Sequence, residues 1–571
     1  MAKKQGKPGP HLTIRATYLQ YKYKQACTGE VAAIEIEMNE VEIKTQAAHT
    51  TNQQKRAPFS SFSSLDIAPA LRVAFAVVMA LLQIATCWAL VQFLENYAAA
   101  VYAVLELAAG ITTLVLLGST RDATYRYAWV ATVFVLGLFG LLLYLLWGRG
   151  SGRNALGRRL ADVFDSPLAD TARPENAETF SALEREEPSG QRVARYLGSQ
   201  GFPIYRHTGV RYLPLGELAF DAIVEDIENA ERFIYLEFFI VNDGQVWDRI
   251  FNALCRKATE GLDVRLLYDD MGSVATTSAA FLRKLRQAGI RVQVFNPVHR
   301  YIHQLYLNYR DHRKIVAIDG HIAYTGGINL GDEYANLYPK YGHWKDTAIR
   351  LSGPGARSFT ECFLRMWQAV ASSSEETLPP PPPPNHNATG FVMPYVDGPH
   401  NNPQNPAKSV YLEMISGACH TLYLTTPYLV IDEFMRSALC QAAQSGVDLR
   451  IVLPAVPDHW YIHLTGQSVY GELLRAGARV YEYTPGFIHA KMMVADRNQA
   501  VVGSVNMDYR SFHLQYESAV WCCGGDAPGL VHSDIESVIA ASREVKLEEW
   551  LARPWRVKVG QSVLRIFAPI M

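Results

Sequence analysis

A chain of 571 residues has room for two or three domains with cores of their own. Its formal net charge of −1 excludes any reading from bulk charge, so every electrostatic statement must be local. The eight cysteines show no paired metal-ligand spacing, which excludes a structural zinc, and adjacent Cys522 and Cys523 read as buried thiols rather than a strained vicinal disulfide.

Residues 1–66 carry Lys, Gln, Thr and Ser without a sustained apolar period and read as a disordered tail, with a β-like run at 31–43 as the exception. No apolar core follows the Lys-rich start, so no signal peptide is read there. The region 67–150 holds three apolar runs, at about 73–94, 98–117 and 128–147, each near the ~20 residues that cross ~30 Å of hydrocarbon as a helix. Tyr97, Tyr102, Tyr127, Trp129 and Trp147 flank them at interface depth, so a multi-pass membrane region is expected. Glu106 lies inside the second run and must face a helix neighbour, or that segment is a shallow hairpin. Arg149, Arg153, Arg158 and Arg159 follow the third run, which puts what comes after it on the cytoplasmic side.

A charged linker is expected over 151–190, and beyond it the chain reads as α/β. In 191–375, 233–241 is an apolar strand, 247–259 a helix, 261–269 a buried strand and 290–295 a further strand. In 406–550 the same order returns, with strands at 422–424 and 446–453 around a helix at 434–445. Two related halves packed around one active site are therefore expected. Between them, Pro379–Pro384 and the Asn- and Pro-rich stretch to 405 read as a polyproline II spacer with no reason to pack. At the C-terminus, 551–571 reads as an amphipathic segment, with Val559, Val563, Ile566, Phe567 and Ile570 on one face beside Arg553, Arg556, Lys558 and Arg565, either an interfacial helix or, equally, one docked on the catalytic domain.

One phrase occurs in both halves. His312-x-Lys314, four residues, Asp319, six residues and Gly326-Gly327-x-Asn329 reappears as His489-x-Lys491, four residues, Asp496, six residues and Gly503-Ser504-x-Asn506. In a strand the His and Lys of each copy share a face. Gly327 and Ser504 would let backbone approach a phosphate, and Asn329 and Asn506 would donate amide hydrogens to it. Two imidazoles supply what a two-step displacement at a phosphodiester needs, a nucleophile and an acid. Two ammonium groups hold the non-bridging oxygens, so no metal and no cofactor is required.

The doubled phrase resembles the signature of the phospholipase D superfamily, and within it the chain is most similar to bacterial cardiolipin synthases. Asn308 to Lys314, Gly326 to Tyr334, Trp344 to Thr347, Thr426-Pro-Tyr428 and Asn506 to Ser511 carry the resemblance, with the membrane runs before them. It implies an enzyme of the bacterial inner membrane with His312, Lys314, Asp319, His489, Lys491 and Asp496 as its catalytic groups. The implied reaction moves a phosphatidyl group between two phosphatidylglycerol molecules to give cardiolipin and glycerol. By the same resemblance His312 is the nucleophile and His489 the acid. Each imidazole also needs a carboxylate on its far nitrogen. Glu517 is expected to orient His489, and Asp346, in competition with Glu333, to orient His312. Three alternatives remain: a hydrolytic phospholipase D or another phosphatidyltransferase, a membrane-tethered nuclease, and a catalytically dead scaffold. Nothing resembles a basic, aromatic-lined nucleic-acid groove, so no nucleic-acid partner is expected; both copies of the phrase are intact, which speaks against the scaffold.

Overall fold

The computed structural model describes residues 98–118, 123–148, 155–274, 276–297, 308–373, 377–401 and 404–570, with two strands nearer the N-terminus and helical positions 81, 85 and 88. Within the expected disordered tail, Thr17–Tyr21 and Ile36–Glu40 pair as an antiparallel ribbon; the second strand falls in the β-like run, and the remainder of 1–66 lies outside the described residues.

The apolar run at 73–94 also lies outside the described residues, apart from those three positions. The second and third runs form helices α1 (Ala98–Leu117) and α2 (Ala123–Leu143). Among the described residues one helical segment, Tyr125–Leu143, is long and apolar enough to cross a bilayer, whereas Glu106–Leu117 is a shorter apolar helix. The expectation of three spans is therefore not supported. Glu106 interrupts α1, leaving an uncharged stretch shorter than the ~20 residues a span needs.

Residues 155–190, within the expected linker, are not a linker. Helices α3 (Ala155–Phe164) and α4 (Pro174–Glu186) bury Leu156, Leu160 and Leu183 in the main core. Leu156, Leu160 and Val163 recur at helical spacing, a stripe that the high charge density around them masks.

The first half is a seven-stranded sheet of β1 (Gly209–Leu213), β2 (Phe233–Phe238), β3 (Asp263–Asp269), β4 (Arg291–Phe295), β5 (Lys314–Ile318), β6 (Ile322–Gly326) and β7 (Ala348–Ser352). Its strand order is β1-β7-β6-β5-β2-β3-β4. β2, β3 and β4 run parallel, joined by helices α5 (Gln245–Thr259) and α6 (Ala279–Gln287). The second half contributes β8 (Phe391–Asp397), β9 (Thr421–Thr425), β10 (Asp448–Pro454), β11 (Arg479–Tyr483), β12 (Met492–Ala495), β13 (Gln499–Gly503), β14 (Gln515–Cys523) and β15 (Ser542–Val545). Its order, β8-β14-β13-β12-β9-β10-β11-β15, reproduces that of the first sheet and adds one antiparallel strand. The central strands are buried on both faces, which is why they read as continuous apolar runs rather than as alternation.

The sheets meet along β6 and β7 on one side and β13 and β14 on the other. At that seam the hydroxyls of Thr325 and Ser518 lie 2.8 Å apart. The buried thiols of Cys522 and Cys523 sit on β14 as free cysteines. Helix α7 (Ala356–Ala371) adds Phe359, Phe363, Met366 and Trp367 to a core that also contains β8, β9 and β14, so the two halves share one interior.

The proline run is anchored rather than free. Pro379 is buried, its carbonyl accepts Arg357 Nε at 2.8 Å, and Asn385 N donates to His207 O at 2.8 Å. A Cβ on Gly320 would meet Pro379 Cγ at 2.9 Å, so the absence of a side chain at that turn makes room for the ring.

Candidate active site

Each histidine lies beside backbone that belongs to the other half. Arg310 and Asp311 pair in parallel with Gln515 and Tyr516 of β14, and His312 N donates to Tyr516 O at 2.9 Å. That register brings Glu517 opposite His312. The His312 Nδ1 lies 3.0 Å from both Glu517 carboxylate oxygens. The mirror arrangement pairs His343–Lys345 in parallel with Gly486–Ile488, and His489 N donates to Lys345 O at 2.8 Å. Asp346 then faces His489, with Oδ2 at 2.6 Å from Nδ1. The expected partners are thus exchanged: Glu517 serves His312 and Asp346 serves His489. The cause is the docking of the sheets, since each carboxylate projects across the seam and not along its own sheet. Both contacts assign the imidazole hydrogen to Nδ1 and leave Nε2 facing outward.

The crossed strands are held by buried ion pairs. Arg313 bonds Glu237 at 2.6 Å and Asp311 at 3.2 Å, and Arg310 bonds Asp269 at 3.2 Å. On the other side Lys345 Nζ lies 2.7 Å from Asp534, which also accepts from the Tyr212 hydroxyl at 2.5 Å. A buried charge stripped of its partner costs about 3–5 kcal/mol, so these pairs fix the strand positions firmly. Aromatic side chains complete the walls. The Phe239 ring lies edge-on to His312 at 5.1 Å, and Tyr334, Trp344 and Phe487 surround His489 at 5.5, 5.5 and 5.9 Å. Nothing in the doubled sequence phrase points to Phe239 or Phe487. The one available signal was that each lies within or next to an apolar strand.

The electrostatics follow from this enclosure. His312 and His489 are 6 and 7 % exposed, whereas Lys314 and Lys491 are essentially sealed, so the imidazole tips are the reachable atoms. Each ammonium donates to its own motif, Lys314 Nζ to His312 O at 2.5 Å and Lys491 Nζ to His489 O at 2.6 Å. Burial, then the neighbouring lysines, push His312 well below the ordinary imidazole range and His489 down to about 4. Burial likewise lowers Lys314 to about 7 and Lys491 to about 8, each opposed by Asp346 and Glu517. The carboxylates differ. Burial pushes Glu517 well up, whereas burial of Asp346 is outweighed by His489, Lys491 and the Thr347 N–H, which hold it below the usual range. The site is a cationic hollow with neutral imidazoles, matched to an anion. Sulfate, whose charge is constant over this range, should bind best below pH 7. Its inhibition constant should weaken as pH rises through about 7 and 8, where the lysines lose their protons; an inhibition constant flat from pH 6 to 9 would contradict this.

Other predicted residues take different places. The carboxylate of Asp319 accepts the backbone N–H groups of Glu231, Arg232 and Phe233 at 2.8, 2.8 and 2.9 Å. Asp496 does the same for Cys419, His420 and Thr421 at 2.8, 2.7 and 2.8 Å. Both stand at the hairpin tips with positive φ, at the end of the motif strand away from the histidine. These aspartates, expected to be catalytic, bind turns. Asp319→Ala should cost about 2 kcal/mol of stability and leave turnover per folded molecule within a few-fold of the parent; unchanged melting with lost turnover would restore the catalytic reading.

Gly327 and Ser504 were expected to admit a phosphate, but they accommodate the carboxylates. A Cβ on Gly327 would lie 2.1 Å from Asp346 Oδ1, and the Ser504 hydroxyl donates to Glu517 Oε2. Asn329 accepts from Ile240 N at 3.2 Å and donates to the Tyr334 hydroxyl at 2.7 Å, so it braces the wall around His489. Asn506 is buried, and its Oδ1 has no protein partner among the described residues.

The chain also matches known proteins. Residues 223–367 and 411–537 match the family described as "Cardiolipin synthase, PLD-like domain", and 101–149 match "Phospholipase D-nuclease N-terminal". The chain is 33 % identical over 466 residues to the major cardiolipin synthase ClsA of Bacillus subtilis, covering 81 % of this chain and 96 % of that one. To the cardiolipin synthase of Geobacillus kaustophilus it is 32 % identical over 463 residues, covering 80 % and 91 %. A solved phosphatidylserine synthase from Haemophilus influenzae superposes with a TM-score of 0.49 at 15 % identity, covering 67 % of this chain and 98 % of that one.

Proposed function

Because the chain belongs to the phospholipase D-like cardiolipin synthases, which are phosphatidyltransferases, we propose that it joins two phosphatidylglycerol molecules into cardiolipin and glycerol through a phosphohistidine. The observation that carries this reading is the pair of crossed imidazole–carboxylate contacts above two enclosed ammonium groups.

In the first step the lone pair on His312 Nε2 attacks phosphorus, and the bond from phosphorus to the headgroup glycerol oxygen breaks. His489 gives its proton to that oxygen, and glycerol leaves. In the second step the free headgroup hydroxyl of another phosphatidylglycerol loses its proton to His489 and attacks phosphorus, breaking the P–N bond. The strongly lowered basicity of His312 supports its role as the neutral nucleophile. The ionised Asp346 supports an imidazolium at His489. An arriving phosphodiester offsets the two ammonium charges and raises His489 from about 4 toward the range where it can carry the proton. One phosphodiester replaces another, so no external energy source is needed, and the aromatic walls keep water from competing as acceptor.

The remaining features fit a protein held at a membrane, with α2 as the spanning element and the arginines from Arg149 to Arg159 keeping the catalytic halves on the cytoplasmic side. The purified protein given labelled phosphatidylglycerol should yield cardiolipin and free glycerol on thin-layer chromatography; phosphatidic acid as the main product would make it a hydrolase. Activity should persist in EDTA, because the lysines supply the charge that a metal would, and loss restored by one stoichiometric divalent ion would refute that.

A further inference from the structure

Helix α8 (Trp555–Phe567) covers a cavity of about 290 Å³ against the second half, and no motif residue lines it. Arg475, Arg553, Lys558 and Arg565 line it, together with Trp550 and Gln561. Arg565 is ion-paired with Glu472 at 2.8 Å. The other three cations have no carboxylate partner among the described residues and donate only to neutral oxygens. Arg475 bonds Gly471 O at 3.3 Å, Arg553 bonds Trp550 O at 2.6 Å and Gln561 Oε1 at 2.8 Å, and Lys558 bonds Leu551 O at 2.9 Å. The Arg553 guanidinium lies over Trp550, 3.2 Å from the ring centroid, which restrains it. Its basicity is depressed by burial and by Arg475. Gln561 is only 2 % exposed, and its Nε2 has no partner among the described residues. A cavity lined by unbalanced cations and by a residue with an unpartnered amide calls for an anionic acceptor with several oxygens.

The same helix says what carries that anion. Lys558, Gln561, Ser562 and Arg565 form the face over the cavity. Trp555, Val559, Val563 and Ile566 form the adjoining face, exposed by 69, 52, 48 and 53 %. The turn that ends the helix, Ala568–Ile570, packs on α2, the membrane-spanning candidate. A phosphate in the cavity would therefore have its chains beside an apolar stripe at bilayer depth. We propose that this cavity is a second, non-catalytic site that holds the phosphate of an anionic phospholipid. It rests on the membrane reading above for the choice of ligand, but not on the reaction.

The test uses the full chain in detergent, in a His312→Ala background that stops turnover, titrated with dioctanoyl phosphatidylglycerol and followed by native mass spectrometry. Two lipids per chain are expected, and one after Arg475→Gln with Arg553→Gln; Gln561→Leu should weaken the second site about 10- to 100-fold. Melting temperatures close to the parent show that these variants fold. Equal counts with and without the substitutions would overturn the proposal, as would equally tight binding of glycerophosphoglycerol, which has the headgroup but no chains. Should the catalytic reading fail instead, the counts fall to one and none, and the difference between them persists.

Discussion

Replacing His312 with alanine should lower turnover by about 10⁴-fold or more, the scale seen when a nucleophile is removed, and should abolish covalent labelling by phosphatidylglycerol. His489→Ala should lose about 10²- to 10⁴-fold, the range for a general acid–base group, yet still accumulate phosphatidyl-enzyme. The reason is the asymmetry between the pairs: both imidazoles are depressed, but the carboxyl behind His312 is pushed up by burial whereas the one behind His489 is held low and ionised. Without His489 the first attack is slowed, but it leaves an adduct that has no base to activate the next hydroxyl. That adduct is a phosphoramidate, so its label should survive alkali and be lost in acid. Label on the His312 variant and none on the His489 variant would reverse the two roles.

Asp346→Asn should lower turnover by roughly 10²- to 10⁴-fold, by analogy with neutralising the carboxylate behind a catalytic imidazole, and Glu517→Gln, at a carboxyl that burial already pushes well up, should lower it less. Their signatures should differ in a way set by the crossed geometry. Asp346 bonds His489 at 2.6 Å, so Asp346→Asn should accumulate adduct, as His489→Ala does. Glu517 lies 3.0 Å from His312, so Glu517→Gln should form adduct slowly, toward the behaviour of His312→Ala. Single-turnover label with each variant separates the cases. If each carboxylate acted on the histidine of its own half, the two phenotypes would be interchanged. A second readout is pH: removing the anion behind His489 should move the limb that reports imidazolium loss to lower pH, because a carboxylate on Nδ1 favours the charged ring.

The two halves were legible because their evidence is local. Motif spacing, apolar strands and the repeated element order all lie within stretches of a few dozen residues. The pairing of carboxylates was not, because it depends on how β6 and β7 meet β13 and β14, and no periodicity within either half encodes that contact. The motif aspartates misled for a related reason. Asp319 and Asp496 recur with the histidines, but recurrence reports a need of the duplicated hairpin as readily as a need of the reaction, and their three N–H partners each show the former. Helices α3 and α4 were missed because their apolar stripe is diluted by Arg, Asp and Glu that face water. The proline run looks free in the sequence because composition cannot reveal Arg357 reaching the carbonyl of Pro379.

The exchange of carboxylates across the seam bears on how such a protein could arise and diversify. Neither half holds a finished imidazole–carboxylate pair, so a lone copy could work only by associating with another like itself about a twofold axis, as most homo-oligomers do. In that assembly every residue appears twice, and a substitution that suits one histidine is imposed on its twin. Joining the copies in one polypeptide lifts the constraint. Here one side has Glu517 with a supporting Ser504 hydroxyl, and the other has the shorter Asp346 pressed against Gly327, where no side chain would fit. Gene fusion thus separates two jobs that symmetry would force to remain alike, and an ancestor with identical halves would have had to use either histidine first.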